Sequence, residues 1–167
     1  MARSWAAARG CTIVLAALLG SVGWGWYVGG RAAATFDATV IETIDGDTVV
    51  VQFANGERDT VRMLGVDTPE THHPHKPVQC YGPEAAGYTH ARLLGRSVVL
   101  ELDVEHRDVY GRLLAYVRVD GTRFNDELLR LGYARLLVIA PNGEHARAML
   151  AAELAAQRER RGLWRAC

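Results

Sequence analysis

Short apolar runs rich in β-branched residues alternate with tight-turn signals in the first half of the chain. Two such runs, residues 38–44 and 48–53, are joined by Asp45-Gly46, and Asn55-Gly56 precedes a third run over residues 60–66. β-Branched side chains favour strands, and Asp-Gly or Asn-Gly pairs favour two-residue hairpin turns. The pattern therefore predicts a meander of three antiparallel strands.

Helical and strand-like patterns follow one another in the second half. Strands are expected over residues 97–104 and 113–119. Three segments that each end at a glycine are expected to be helices: residues 84–94, residues 125–131 with Asn125 as the N-terminal cap, and residues 144–161. Residues 133–139 are apolar and are assigned to neither type.

This order of elements predicts the fold class. Five strands with a helix inserted between the third and the fourth are the arrangement of the oligonucleotide-binding fold. We therefore expect a β-rich α+β protein, a five-stranded OB-fold barrel with three helices, in one domain over residues 35–167. A length of 167 residues suits one domain with a hydrophobic core and is too short for two ordinary ones.

Residues 1–34 have a different composition from the rest of the chain. Arg3 and Arg9 precede an uncharged stretch over residues 11–30, and three alanines follow at 32–34. This is typical of an export signal that is cleaved after Ala34. A retained membrane anchor is the alternative, since about 20 uncharged residues can span a bilayer. Under either interpretation the domain is secreted or membrane-anchored, outside the cytoplasm.

The charge balance excludes one class of function. The chain has 19 basic and 19 acidic residues, but Arg3, Arg9 and Arg31 lie in or beside the N-terminal segment, so 16 basic face 19 acidic residues from residue 32 onward. Proteins that coat nucleic acid are usually basic, because phosphate neutralisation supplies most of their affinity. This domain would have to bind phosphates locally.

Two cysteines, Cys80 and Cys167, lie beyond the N-terminal segment. In an oxidising compartment they could form a disulfide that closes a long loop. Two unpaired thiols are the alternative. Neither cysteine has the spacing of a zinc site.

Residues 68–83 contain four prolines and three histidines, which predicts a long surface loop. Long loops inside compact domains are usually functional. Near a phosphate, His72, His73 and His75 could supply positive charge only below about pH 6.5. We therefore hypothesise that substrate affinity rises on mild acidification, with transition-metal binding and an inert solvated loop as the alternatives.

Acidic side chains stand where two of the predicted strands begin and end. Asp47 follows the first turn and Asp67 ends the third strand. Because the first and third strands of a meander flank the second, these carboxylates can meet in space. Two carboxylates and a backbone carbonyl suit calcium or magnesium. Local turn roles are the alternative for each aspartate.

Two arginines could act beside these acids. Arg62 lies in the third strand, and Arg112 lies in the turn before a later strand. Two guanidinium groups aimed at one phosphate, with a divalent ion and a carboxylate, are what phosphodiester hydrolysis requires. Arg62 and Asp67 are five residues apart, so a flat strand would place them on opposite faces unless a twist or a bulge near Gly65 re-aims one. Solvated arginines are the alternative.

Four ordered motifs resemble the thermonuclease, or staphylococcal nuclease, family. They are Asp45-Gly46-Asp47-Thr48; Arg62 with Val-Asp-Thr-Pro-Glu-Thr over residues 66–71; Tyr-Gly-Pro-Glu-Ala over residues 81–85; and Tyr110-Gly111-Arg112 with Leu-Ala-Tyr over residues 114–116. The resemblance covers residues 38–164. It implies a five-stranded OB-fold barrel with three helices and calcium-dependent endonucleolytic cleavage of DNA and RNA.

The resemblance also implies roles for seven residues. Two acids and a backbone carbonyl would ligate Ca²⁺, and a glutamate would orient or deprotonate the attacking water. Two arginines would bind the scissile phosphate and neutralise transition-state charge, and a tyrosine would contact the substrate. In that order, these are Asp47, Asp67 and Thr68; Glu70; Arg62 and Arg112; and Tyr110.

The chain departs from the family pattern at the positions that bind the substrate. Residues 136–140 are apolar where the family has two tyrosines that pack against the nucleotide, and Val109 stands where a lysine would add a phosphate contact. Stacking contributes about 1–3 kcal/mol per base. We therefore expect weaker nucleotide binding or a rearranged base pocket.

Two other functions remain open for such a barrel, since a fold alone does not fix function. One is a catalytically silent nucleic-acid-binding module, and the other is an exported domain that uses calcium only for structure. A binding module would not need all five of the charged residues that the motifs retain. These are Asp47, Arg62, Asp67, Glu70 and Arg112.

Overall fold

The computed structural model describes residues 33–71 and 77–167. The first 32 residues and residues 72–76, which include the three loop histidines, lie outside the described residues. The strands are β1 Thr35–Thr43, β2 Thr48–Phe53, β3 Arg58–Met63, β4 Gly65–Asp67, β5 Ser97–Glu101, β6 Leu113–Val119, β7 Thr122–Arg123 and β8 Arg135–Leu137. The helices are α1 Gly82–Leu93, α2 Phe124–Leu131, α3 Ala146–Arg158 and the short α4 Leu163–Ala166.

Five of the strands close into a barrel. β1 pairs with β2 on one side and with β5 on the other, while β2 continues to β3 and β5 continues to β6, all antiparallel. A parallel pairing of β3 with β6, which aligns Arg62 with Leu114, closes the ring. The predicted OB-fold barrel with its helix between the third and fourth barrel strands is confirmed.

Alternate positions along the strands fill the barrel interior. Valine is the most frequent residue in this core, because β-branched side chains pack well on a pleated surface. Side chains from α2 and α3 complete it. The fully buried members include Val40, Val49, Val51, Val61, Leu100, Phe124, Leu128, Leu129 and Met149. Since the interior of so small a barrel is solid, a functional site must lie on its surface.

The third predicted strand is broken. β3 ends at Met63, and β4 leaves the barrel to pair with β8, so the prediction of one continuous strand over residues 60–66 is wrong. The break lies at Leu64, directly before Gly65, whose φ is +72°, a conformation that glycine adopts without strain. A Cβ at Gly65 would lie 2.5 Å from Met149 Cε and 2.6 Å from Met149 Sδ, so a larger residue there would displace the end of the buried Met149 side chain.

Several predicted element ends shift for tertiary reasons. The strand expected over residues 97–104 ends at Glu101, and the third helix covers only Ala146–Arg158. Asn125 does not cap α2, because that helix begins at Phe124. The Asn125 side chain instead accepts a hydrogen bond from Val117 N and donates one to Leu64 O, each 2.8 Å long, and so ties β6 to the broken strand.

The loop before α1 is tied to the end of α4. Cys80 Sγ and Cys167 Sγ lie at a bonded distance of 2.09 Å, across a sequence separation of 87 residues. α4 is anchored in turn by the Leu163 amide, which donates to Gly132 O at 2.9 Å. None of the helices in the described ranges is long and apolar enough to cross a lipid bilayer.

Candidate active site

Asp47 joins the first turn of the barrel to the end of β4. It stands just before β2 and is only 5 % exposed. Its Oδ2 accepts hydrogen bonds from Thr68 N at 2.9 Å and Thr68 Oγ1 at 3.1 Å, and its Oδ1 accepts one from Thr48 Oγ1 at 3.0 Å. These bonds satisfy a buried carboxylate. The predicted meeting of the two strand ends is confirmed.

Arg62 lies between two carboxylates. Its Nη2 is 3.2 Å from Asp47 Oδ2 and 3.4 Å from Asp67 Oδ1, while its Nη1 donates to Met63 O at 2.7 Å and Val66 O at 2.8 Å. Both carbonyls belong to the bend around Gly65, so the guanidinium stabilises the bend. The sequence left open whether a twist or a bulge near Gly65 would bring Arg62 and Asp67 together, and in the structure the bend between β3 and β4 does so.

Negative charge accumulates around this guanidinium. Asp45 Oδ1 accepts a hydrogen bond from Asp47 N at 3.1 Å. Burial, with the nearby charge of Asp47, raises the pKa of Asp45 to about 6. Burial and Asp47 also raise the pKa of Asp67, against the opposing influence of Arg62, and Glu70 adds to both shifts. We define Asp45, Asp47, Asp67 and Glu70 as the acidic cluster, a group of like charges that a cation would stabilise.

Glu70 follows β4 in the loop and is held through its backbone. Its N–H donates to Gln79 Oε1 at 3.0 Å, and its carbonyl accepts a hydrogen bond from Gln79 N at 2.9 Å. Its Oε1 accepts a hydrogen bond from Thr71 N at 3.1 Å. Glu70 is therefore fixed relative to the segment that precedes α1.

Arg112 is aimed by Asp108 from the turn before β6. Its Nε donates to Asp108 Oδ2 at 2.7 Å, and its backbone N donates to Asp108 Oδ1 at 3.0 Å. Burial opposes ionisation of Asp108, but these bonds hold the pKa of its carboxyl below its usual range. The Arg112 guanidinium lies 5.4 Å from the ring centroid of Tyr110, which is 82 % exposed. Both side chains thus stand at the protein surface.

Arg62 and Arg112 line one cleft of about 420 Å³. Most of its remaining wall is apolar. Leu137 and Ile139, from the apolar residues 136–140, form part of it. The other lining residues include Met63, Leu64, Val66, Val109, Leu114 and Asn142. A concave site with an apolar wall and a few convergent charges is typical of a ligand-binding site.

The acidic cluster offers oxygen ligands for a divalent ion. Within residues 33–71 and 77–167, no three His, Cys, Asp or Glu side chains are grouped closely enough to form a metal site by themselves. Asp47 and Asp67 nevertheless approach the same guanidinium, and the Thr68 amide binds Asp47 directly. Two carboxylates next to Thr68, whose carbonyl is the further ligand that the resemblance implies, fit a hard cation whose other ligands are water or substrate.

Comparison with known proteins identifies the family of this chain. The family model described as staphylococcal nuclease homologue matches residues 60–166. The chain belongs to the staphylococcal nuclease family. It is 42 % identical over 125 residues to the thermonuclease of Staphylococcus hyicus, an alignment that covers 75 % of this chain and 73 % of the relative. It is 40 % identical to the thermonuclease of Staphylococcus intermedius, with 75 % and 74 % covered.

A longer Bacillus subtilis (strain 168) protein is also similar to this member of the staphylococcal nuclease family. Endonuclease YncB is 41 % identical over 130 residues, which are 77 % of this chain and 61 % of the relative. Relatives named for nuclease activity thus come from two bacterial genera.

The predicted site residues fall into two groups that share Arg62. Asp47, Asp67, Thr68 and Glu70 lie on the acidic side, whereas Arg112 and Tyr110 lie on the cleft side. The disulfide pair, Cys80 and Cys167, lies beside the acidic side, since both cysteines line a pocket of about 170 Å³ together with Asp67 and Thr68.

Three residues of the site were missed from the sequence. Asp45 stands in the first motif but was interpreted as a turn residue, and the Asp-Gly-Asp spacing was the available signal. Asp108 aims Arg112 from four residues away. Gln79 lies across the loop from Glu70, and a single sequence carries no signal for that pairing.

Proposed function

We propose that this protein is an exported calcium-dependent endonuclease that hydrolyses phosphodiester bonds of DNA and RNA. Membership of the staphylococcal nuclease family makes the chain a nuclease, a hydrolase that cleaves phosphodiester bonds. The dependence on calcium, the range of substrates and the export are the further parts of the proposal.

One observation carries the proposal. Arg62 contacts Asp47 and Asp67 and also lines the cleft that Arg112 enters. A phosphate in that cleft would therefore lie between two guanidinium groups and next to the oxygen ligands of a cation. This combination of charges stabilises the anionic transition state of phosphodiester hydrolysis.

Each charged residue has a physical task in the reaction. Arg62 and Arg112 bind the phosphate and offset the charge that develops on its oxygens, and their fixed hydrogen bonds reduce the reorganisation that this requires. Glu70 orients or deprotonates the attacking water. Asp47, Asp67 and the Thr68 carbonyl would hold Ca²⁺, which supplies Lewis-acid polarisation of the phosphate when bound.

Export is supported by two independent features. Residues 11–30 are uncharged and follow Arg3 and Arg9, as in an export signal or a membrane anchor. The paired sulfurs of Cys80 and Cys167 suit an oxidising compartment outside the cytoplasm.

The proposal is tested by incubating the protein with plasmid DNA and with RNA, in calcium and in chelator. Glu70→Gln and Arg112→Ala should each reduce cleavage by at least 100-fold. Glu42→Gln and Arg58→Ala are the matched controls, because both residues are exposed and lie outside the cleft. They should cleave like the parent protein.

The outcomes separate the parts of the proposal. Absence of cleavage with every divalent ion would contradict the enzymatic function and favour a silent binding barrel. Equal cleavage in chelator would contradict the metal requirement, and cleavage of only one nucleic acid would restrict the substrate. Full activity of Glu70→Gln or Arg112→Ala would contradict the assigned roles.

A further inference from the structure

We propose that Gln79 is a positioning residue for Glu70, and that the Cys80–Cys167 disulfide holds Gln79 in place, so that reduction of the disulfide slows catalysis. The inference rests on the proposed function through the role of Glu70. Its structural part, the fixation of the Glu70 backbone, can be measured without any activity.

Gln79 forms hydrogen bonds with both backbone groups of Glu70. Its side-chain Oε1 accepts the hydrogen bond from Glu70 N at 3.0 Å, and its own amide donates to Glu70 O at 2.9 Å. One residue thus satisfies both backbone groups of Glu70, as a paired strand would. The backbone position of Glu70 follows that of Gln79.

The start of α1 packs against the same stretch of backbone. Gly82 N donates to Gln79 O at 3.0 Å, which closes a turn directly after Gln79. A Cβ at Gly82 would lie 3.0 Å from both Pro69 O and Glu70 O, so only glycine fits this approach without a shift. The position of Gln79 is therefore coupled to the N-terminus of α1 on one side.

Cys80 provides the second anchor. It adjoins Gln79 and is bonded to Cys167, directly after α4. Cys167 N donates to Leu163 O at 3.0 Å, and Leu163 N donates to Gly132 O at 2.9 Å, at the end of α2. Through Cys80, the disulfide thus connects Gln79 to the body of the domain.

The exposure of these residues determines what a test can detect. Gln79 and Cys80 are exposed, so the hydrogen bonds of Gln79 add little to stability, and a reductant can reach the disulfide. A dithiol supplies two electrons and two protons, which leave Cys80 and Cys167 as thiols while the dithiol becomes a disulfide. By contrast, a shift of about 1 Å in a catalytic group can cost about 100-fold in rate.

The first experiment changes only the side-chain acceptor. Gln79→Met keeps the length of the side chain and removes the oxygen, whereas Gln79→Glu keeps an oxygen that can accept from Glu70 N. Gln52→Met is the matched control, since the Gln52 side chain makes one exposed hydrogen bond, as the donor to Gly56 O, but lies on β2 outside the cleft. All are compared by kcat and KM on single-stranded DNA, melting temperature, and amide hydrogen exchange of Glu70.

Gln79→Met should lower kcat about tenfold, change KM by less than twofold and shift the melting temperature by less than about 3 °C. Its Glu70 amide should exchange at least tenfold faster than in the parent protein. Gln79→Glu should largely restore the parent kcat and the parent exchange rate of the Glu70 amide. Gln52→Met should match the parent protein in both measurements. An unchanged kcat in Gln79→Met would overturn the inference. A loss of kcat that is explained by a matching fall in the melting temperature would overturn it as well.

The second experiment tests the disulfide by non-additivity. Cys80→Ser/Cys167→Ser should lower kcat about tenfold in the Gln79 background. In the Gln79→Met background it should lower kcat less than twofold, because the hydrogen bond from Glu70 N to the side chain of residue 79 is already absent there. Dithiol treatment of the folded parent protein should reproduce the loss reversibly, and it provides the test if the double variant does not fold. Equal losses in both backgrounds, or full activity after complete reduction, would overturn the coupling.

The two proposals fail in different ways. A parent protein that cleaves nothing contradicts the proposed function, and amide exchange of Glu70 then decides the structural claim alone. Unchanged Glu70 exchange in Gln79→Met would overturn the positioning role even in a fully active nuclease.

Discussion

The acidic cluster and the apolar wall of the cleft meet at Arg62 but are built in opposite ways. In the cluster, Asp47 is buried and accepts hydrogen bonds from Thr48 and Thr68, and it contacts Arg62. On the wall, Val109 is 93 % exposed and Ile139 is 65 % exposed. One region is held by directed bonds between barrel elements, whereas the other presents hydrophobic side chains to solvent.

Under the proposed function, this difference separates the residues of catalysis from those of substrate binding. The cluster has the fixed geometry that transition-state stabilisation requires. The wall offers hydrophobic area that can pack against a base without the directed hydrogen bonds that would distinguish one base from another. We therefore expect changes in the cluster to act on kcat, and changes in the wall to act on KM.

Removal of Arg62 should have the largest effect. Arg62→Ala should lower kcat about 1,000-fold, because it removes a proposed phosphate ligand and the cation that Asp47 and Asp67 share. Initial rates on single-stranded DNA with calcium measure the effect, and Arg58→Ala on the same strand is the control. A loss below tenfold would mean that the cluster and the cleft are not joined through this side chain.

Loss of one carboxylate should act next on the metal. Asp47→Asn should weaken calcium binding about 100-fold, since a charged oxygen ligand becomes a neutral one. The readout is the rise in melting temperature with added calcium, which the parent protein should show and the variant should lose at the same concentration. Asp37→Asn, at an exposed position of β1, should keep the full calcium response. The same rise in Asp47→Asn would place the ion elsewhere.

An aromatic side chain on the wall should sharpen the contrast. Ile139→Tyr should lower KM for single-stranded DNA about fivefold with little change in kcat, because stacking on a base contributes about 1–3 kcal/mol. Val138→Tyr is the matched control, since Val138 is exposed but does not line the cleft. If both tyrosines lower KM equally, the gain comes from general hydrophobicity, and the wall is not the base site.

The two regions also differ in how far the sequence predicts them. Within the acidic cluster, the approach of Asp47 to the end of the third predicted strand was foreseen because both stand at turns or strand ends, which local chemistry specifies, whereas Asp45 was missed. Asp-Gly and Asn-Gly mark the turns, and Gly65 permits the bend that re-aims Asp67. Local preference and final structure agree at these positions, so the meeting of Asp47 and the end of β4 could be foreseen.

The errors occur where a side chain bonds to a distant part of the chain. Asn125 has the composition of a helix cap, but its amide bridges Val117 and Leu64, and Leu64 is 61 residues away. Gln79 pairs with Glu70 across the loop. The apolar run over residues 133–139 contains the short strand β8 only because β4 leaves the barrel to pair with it. None of these partners can be found from spacing in one sequence.

The smallest predicted effect concerns the loop that supports the wall. Asp103 Oδ2 accepts hydrogen bonds from Gly143 N at 2.9 Å, Tyr116 Oη at 3.0 Å and Glu144 N at 3.1 Å. Burial acts to raise the pKa of Asp103, but these bonds outweigh it and hold that pKa below its usual range. A depressed pKa in the folded state means that the stabilisation is complete above the unfolded-state pKa and is lost as pH falls through the folded-state pKa.

Asp103→Asn should therefore lower the melting temperature by about 5 °C at pH 7, consistent with the lower end of the roughly 1.5–3 kcal/mol that hydrogen bonds to a charged group contribute. The difference from the parent protein should shrink as the pH falls below about 4, where the carboxyl of the unfolded parent chain takes up a proton, and should disappear below the folded-state pKa. Melting curves from pH 3 to pH 7 measure this, with Asp37→Asn as the exposed control. A difference that stays constant over this range would show that Asp103 acts by packing alone. Charged hydrogen bonds would then stabilise the acidic cluster but not the loop that supports the wall.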